Sequence, residues 1–137
     1  MVDDAIVSVV RKYLAKVAEA GIVVDRGVIF GSCARGCQRP ESDIDLVVVS
    51  PAFDGKDREA ALDTLWHMVW RVDTRIEPIG VGVRQYAEQA WQPLLMVARR
   101  EGVSVYPVGV PAASIAADGP GEYHPRRQPR STVKKRR

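Results

Sequence analysis

Apolar residues at positions 6, 9, 10, 13, 14 and 17 recur with the three- and four-residue steps that place side chains on one face of a helix. Asp3 or Asp4 stands where the first helical amides need an acceptor, and Gly21 follows the last periodic position, so a first helix is predicted between them. Residues 28–30 (Val-Ile-Phe) and 44–49 (Ile-Asp-Leu-Val-Val-Val) are short β-branched and aromatic runs and predict strands. After a loop over residues 51–55, Asp57 is placed to cap a second long helix with Leu62, Leu65, Trp66, Val69 and Trp70 as its buried stripe. Residues 75–81 (Arg-Ile-Glu-Pro-Ile-Gly-Val) read as a short strand whose proline suits a sheet edge. Residues 84–100 read as helical with a break at Pro93, turning Tyr86, Trp91, Leu94, Leu95 and Val97 inward, and residues 103–106 form a last short strand. Helices alternating with short strands give an α+β domain, a small mixed sheet flanked by helices.

Composition adds bounds to this picture. A chain of 137 residues, 46% of them hydrophobic, builds one core. No apolar run approaches the roughly 18 residues of a membrane span, and the opening Met-Val-Asp-Asp has neither the basic start nor the apolar middle of a secretion signal, so a cytoplasmic location is expected. Cys33 and Cys37, far in sequence from His67 and His124, read as reduced thiols rather than a zinc set. The formal charge of +3 arises at one end: residues 120–137 hold seven Lys or Arg against the single acid Glu122, a local +6 that leaves the rest at −3. That segment is rich in proline and small residues and is expected to be a basic disordered tail, either merely solvated or making weak nucleic-acid contact.

The residues that carry chemistry lie between the first two strands. Asp43 and Asp45 flank Ile44, and strand alternation sends both acids to one face while Ile44 and Leu46 turn to the core. At about 4 Å and an effective dielectric near 20, such a pair repels by roughly 4 kcal/mol unless a cation or a proton intervenes. Oxygen donors of this kind favour Mg²⁺, with Mn²⁺ as its substitute. Glu77, an acid amid Ile and Val, becomes a third carboxylate of the group if its strand pairs beside that of Asp43 and Asp45. Gly31-Ser32, at the end of the first strand, forms a turn whose backbone can approach a phosphate closely, and Arg35 lies one turn further on. Each feature alone is commonplace; their joint spacing points to metal-assisted phosphoryl chemistry on a nucleotide.

From residue 5 to about residue 107 the succession Phe-Gly-Ser, Ala-Arg-Gly, Ser-Asp-Ile-Asp-Leu, a third strand acid and a closing Arg-Glu-Gly resembles the DNA polymerase β nucleotidyltransferase superfamily, most closely its minimal single-domain members. The resemblance implies the polymerase β-type nucleotidyltransferase fold over residues 1–107, followed by a linker and tail over 108–137. It implies nucleotide binding by Gly31 and Ser32, with Arg35 nearby, and two Mg²⁺ ions held by Asp43, Asp45 and Glu77. Where relatives often carry Arg directly after Gly-Ser, this chain has Cys33. The implied reaction moves a nucleotide, AMP from ATP or its counterpart from another NTP, onto an acceptor hydroxyl. Minimal members often act as the antitoxin that nucleotidylates a HEPN-domain toxin; a non-catalytic module masking its partner and a small-molecule (antibiotic) nucleotidyltransferase remain the alternatives.

Overall fold

The computed structural model describes residues 2–36, 42–88 and 92–107. The readings made for Cys37, Trp91 and the segment 108–137 lie outside the described residues. The chain forms α1 (Asp4–Glu19), β1 (Arg26–Phe30), α2 (Ser32–Arg35), β2 (Ile44–Val49), a 3-10 turn (Pro51–Phe53), α3 (Arg58–Val72), β3 (Ile76–Val81), α4 (Val83–Glu88), α5 (Pro93–Glu101) and β4 (Val103–Val105). One sheet takes the order β3-β2-β1-β4. β1 is antiparallel to both β2 and β4, while β3, brought back by the crossover helix α3, runs parallel to β2.

Start and stop signals explain the helix ends. Asp3 caps α1, its Oδ1 accepting the Ala5 N–H at 2.8 Å, and Gly21 takes φ +102° just past the end. Asp57 occupies the cap position of α3 but its side chain makes no capping bond, which corrects that expectation. Pro93 opens α5, where its missing N–H costs nothing.

Both faces of the sheet are covered. Ile29, Ile44, Leu46, Val48, Ile76 and Val105 pack with α1 and α3, whereas Val28, Phe30, Val47, Val49 and Val81 pack with Tyr86 of α4 and Leu95 and Ala98 of α5. β2 therefore reads as an unbroken apolar run after Asp45, as a strand buried on two sides should. Tyr13 of α1 donates its hydroxyl to the Leu65 carbonyl of α3 at 2.7 Å, and burial pushes its phenol pKa up, so it remains a donor.

Two expected stripes need correction. Trp66 and Trp70 are 50% and 78% exposed; the buried line of α3 is Ala61, Leu65 and Val69. Each tryptophan follows a buried residue by one position, about 100° around the helix, which carries it off the packed face. On α5, Leu94 and Val97 are likewise 38% and 39% exposed, and Leu95 and Ala98 do the packing. β1 also starts two residues before the expected strand, at Arg26, only 4% exposed, whose guanidinium lies 5.8 Å and 5.5 Å from the Tyr86 and Tyr106 ring centroids. Among the described residues, no helix is long and apolar enough to cross a membrane.

Candidate active site

The sheet register assembles the predicted residues at one rim. Phe30, the last residue of β1, pairs with Asp45 near the start of β2, and Asp45 pairs in turn with Glu77 near the start of β3. Asp45 and Glu77 share the sheet face of Val47, Val49 and Val81, beyond the part that α4 and α5 cover. Gly31 leaves β1 with φ +74° and ψ −153°, and a Cβ there would lie 2.5 Å from Asp45 Oδ2. Only glycine satisfies both the left-handed backbone and the contact. The Gly-Ser turn thus rests directly against Asp45, and Ser32 opens the single helical turn α2, whose start has no side-chain cap and whose end is closed by Gly36 at φ +75°.

The acids perturb one another. Asp43 and Glu77 are exposed and Asp45 is half-buried. Burial and the charge of Asp43 push the Asp45 carboxyl above its usual range. Loss of water, a hydrogen bond with Asp43 and the charges of Asp43 and Asp45 raise Glu77 in the same direction. Two carboxyl groups hydrogen-bond only through a shared proton, so Glu77 donates to Asp43 when it is protonated. Among the described residues no group of three His, Cys, Asp or Glu side chains is arranged to hold a metal ion as it stands. The donors fit a hard divalent cation in kind: oxygen donors only, on one rim, with Asp45 and Glu77 raised in part by neighbouring negative charge that a cation would relieve.

Around the acids stand Asp73 and Arg75, which sequence reasoning passed over, and Cys33 and Arg35, which it named. Arg75 precedes β3, and its carbonyl accepts the Ile44 N–H at 2.8 Å, tying the starts of β2 and β3 together. Asp73 accepts from Arg75 three times, from the backbone N–H at 2.9 Å, Nε at 3.0 Å and one terminal nitrogen at 2.8 Å. The hydrogen bonds hold the Asp73 carboxyl below the usual carboxylate range. The available signal was Asp-x-Arg immediately before a strand that carries an acid. Cys33 is buried and its thiol donates to the Asp43 carbonyl at 3.5 Å. Burial, with Asp45 next, pushes its pKa up against the pull of Arg75, so it persists as a thiol that shapes the rim. Arg35, expected near phosphate, meets Glu101 of α5 at 3.7 Å through two exposed side chains, a contact worth at most about 1 kcal/mol.

A Gly-Ser turn set against paired carboxylates, at the end of a mixed sheet backed by helices, defines a protein built to handle nucleoside phosphates. A family model described as a nucleotidyltransferase domain matches residues 10–99, a span that includes Gly31, Ser32, Asp43, Asp45 and Glu77. The chain belongs to this nucleotidyltransferase family, and the four-stranded mixed sheet flanked by helices is the fold the resemblance implied. The comparison with curated proteins found no match.

Proposed function

We propose that the protein transfers AMP from ATP to an acceptor hydroxyl with release of pyrophosphate, and that the acceptor is a tyrosine of a HEPN-domain toxin for which this chain is the antitoxin. The observation that carries the transfer chemistry is the register Phe30–Asp45–Glu77 with Gly31 lying against Asp45. The choice of ATP and of the HEPN partner is supported by the resemblance to minimal nucleotidyltransferases.

In this reading the Gly31 backbone lets the triphosphate approach, and the Ser32 hydroxyl donates to a phosphate oxygen. Asp43, Asp45 and Glu77 would hold two Mg²⁺ ions. Bound there, the ions supply Lewis acidity that makes the acceptor hydroxyl a better nucleophile and steadies the leaving pyrophosphate. Asp45 and Glu77 would serve as ligands in their carboxylate forms, so proton and cation compete at the rim. Arg35 lies one turn past Ser32 and exchanges its weak contact with Glu101 for a phosphate oxygen.

The test uses the full chain, Mg²⁺ and ATP labelled at either the α or the γ phosphorus, with three acceptors in parallel: a HEPN-domain protein, an aminoglycoside, and no acceptor. Transfer of the α label alone to a tyrosine of the HEPN protein is expected. α label on the aminoglycoside instead would overturn the protein acceptor. ATP binding with no label on any acceptor would overturn transfer and leave a masking module.

A further inference from the structure

β3 has little of its own to fix its register. It runs parallel to β2, so no hairpin turn sets the pairing. Gly80, near its far end, has no side chain to pack. The bonds flanking the ladder are Ile44 N–H to the Arg75 carbonyl at 2.8 Å and Ser50 N–H to the Val81 carbonyl at 3.0 Å. The second lies at the end remote from the acids; the first lies two residues before Glu77.

Arg75 is itself immobilised. The Asp73 carboxylate grips both its backbone N–H and its guanidinium, and the Asp73 carbonyl accepts the Ile76 N–H at 3.2 Å. Main chain and side chain of the residue just before β3 are thereby locked to the end of α3. A slip of one residue here would carry Glu77 to the opposite face of the sheet, away from Asp45. The charge of Arg75 is felt at the Cys33 thiol, which in turn donates to the Asp43 carbonyl, so the guanidinium sits at the corner where both strands begin.

We propose that Arg75, clamped by Asp73, is a positioning residue that fixes Glu77 against Asp43 and Asp45 and so sets the rim's affinity for divalent cations. The proposal rests on the reading of this rim as a metal-assisted transfer site. It assigns the clamp to hydrogen-bond geometry: a lysine keeps the charge but lacks the planar fork that Asp73 grips.

Direct Mn²⁺ binding, measured by calorimetry and by the paramagnetic resonance of free ion without nucleotide, tests this in the full chain. Wild type, Arg75→Lys, Asp73→Asn, the double variant and Val69→Ala are compared, the last being a core variant that lowers stability without touching the rim. Arg75→Lys and Asp73→Asn are each expected to weaken Mn²⁺ binding by about 10- to 100-fold, as loss of a residue that orients ligands does, and the double variant to lose little more than either. Val69→Ala should bind Mn²⁺ like wild type at a temperature where all the proteins are folded. Arg75→Lys or Asp73→Asn binding within about twofold of wild type, or a loss that Val69→Ala reproduces, would overturn the positioning role. A wild-type protein that binds no Mn²⁺ would instead overturn the metal reading of the rim, and this proposal with it.

Discussion

Asp45→Asn removes one charge from the rim while keeping the shape that Gly31 fits against. Asp45 has two acidic neighbours, Asp43 two residues back, just before β2, and Glu77 directly across on β3. Strand geometry puts these at about 6.7 Å and about 4.8 Å. In water-like surroundings at physiological salt the two repulsions total roughly 0.7 kcal/mol, and at an effective dielectric near 20 with the same screening about 3 kcal/mol. The half-buried position of Asp45 places the real value between these limits. Without metal, Asp45→Asn should therefore stabilise the protein by about 0.7–3 kcal/mol, a rise of some 3–12 °C in Tm for a domain of this size. Addition of Mg²⁺ should stabilise wild type and leave the variant unmoved, because only a form that binds the ion gains from it. Nucleotide transfer should fall by about 100-fold or more, the loss of several kcal/mol of charge stabilisation in the transition state. Melting curves in EDTA and in Mg²⁺, with α-labelled ATP transfer alongside, check all three. A variant less stable than wild type in EDTA would refute the repulsion argument, and retained transfer would refute the site.

Three further outcomes follow from the same geometry. Ser32→Ala should weaken ATP binding by about 1.5–3 kcal/mol, and Gly31→Val should do worse because its side chain meets both a left-handed backbone and Asp45 Oδ2; calorimetric titration with unchanged affinity in both would place the phosphates elsewhere. Asp45 and Glu77, with raised pKa values, bind more protons folded than unfolded between the ordinary carboxylate range near pH 4 and their folded values, so metal-free stability should fall as pH rises through that window. Asp73, with a lowered pKa, gives stability that is present above about pH 4 and lost as pH drops through its folded value. Melts in EDTA should therefore peak in mild acid, and a monotonic rise from pH 4 to 8 would contradict the sign. Leu65→Ala should cost about 2–5 kcal/mol whereas Trp66→Ala and Trp70→Ala each shift stability by less than about 0.5 kcal/mol, and urea unfolding that ranked them the other way would restore the tryptophans to the core.

The contrast within α3 shows what a linear pattern does and does not encode. Leu65 and Trp66, like Val69 and Trp70, are adjacent apolar residues, and periodicity alone admits either as the centre of the buried face. The choice was made by α1 and the sheet together, against which a width of about 100° suffices, and no local signal carried it. Leu94 and Val97 failed for the same reason, each beside a residue that packs better. β1 was read too short because Arg26 does not look like strand core; its burial depends on Asp25 at 3.6 Å and on the rings of Tyr86 and Tyr106, which are distant in sequence.

The rim was legible for the opposite reason: its information is local. Strand alternation alone puts Asp43 and Asp45 on one face, and a glycine followed by serine at a strand end marks a turn without reference to the rest of the chain. Glu77 needed one tertiary fact, that β3 lies beside β2, and its edge proline was compatible with that place, since the carbonyls of Arg75 and Val81 turn toward β2 and alternation then turns Pro78 outward. What no local signal could show is how β3 is held in register once it is there. That depends on Asp73 gripping a residue two positions away while the same residue's carbonyl bonds β2, a relation visible only when helix end, turn and neighbouring strand are together. The acids follow from patterns a sequence states outright, and their alignment follows from a clamp that it states only as Asp-x-Arg.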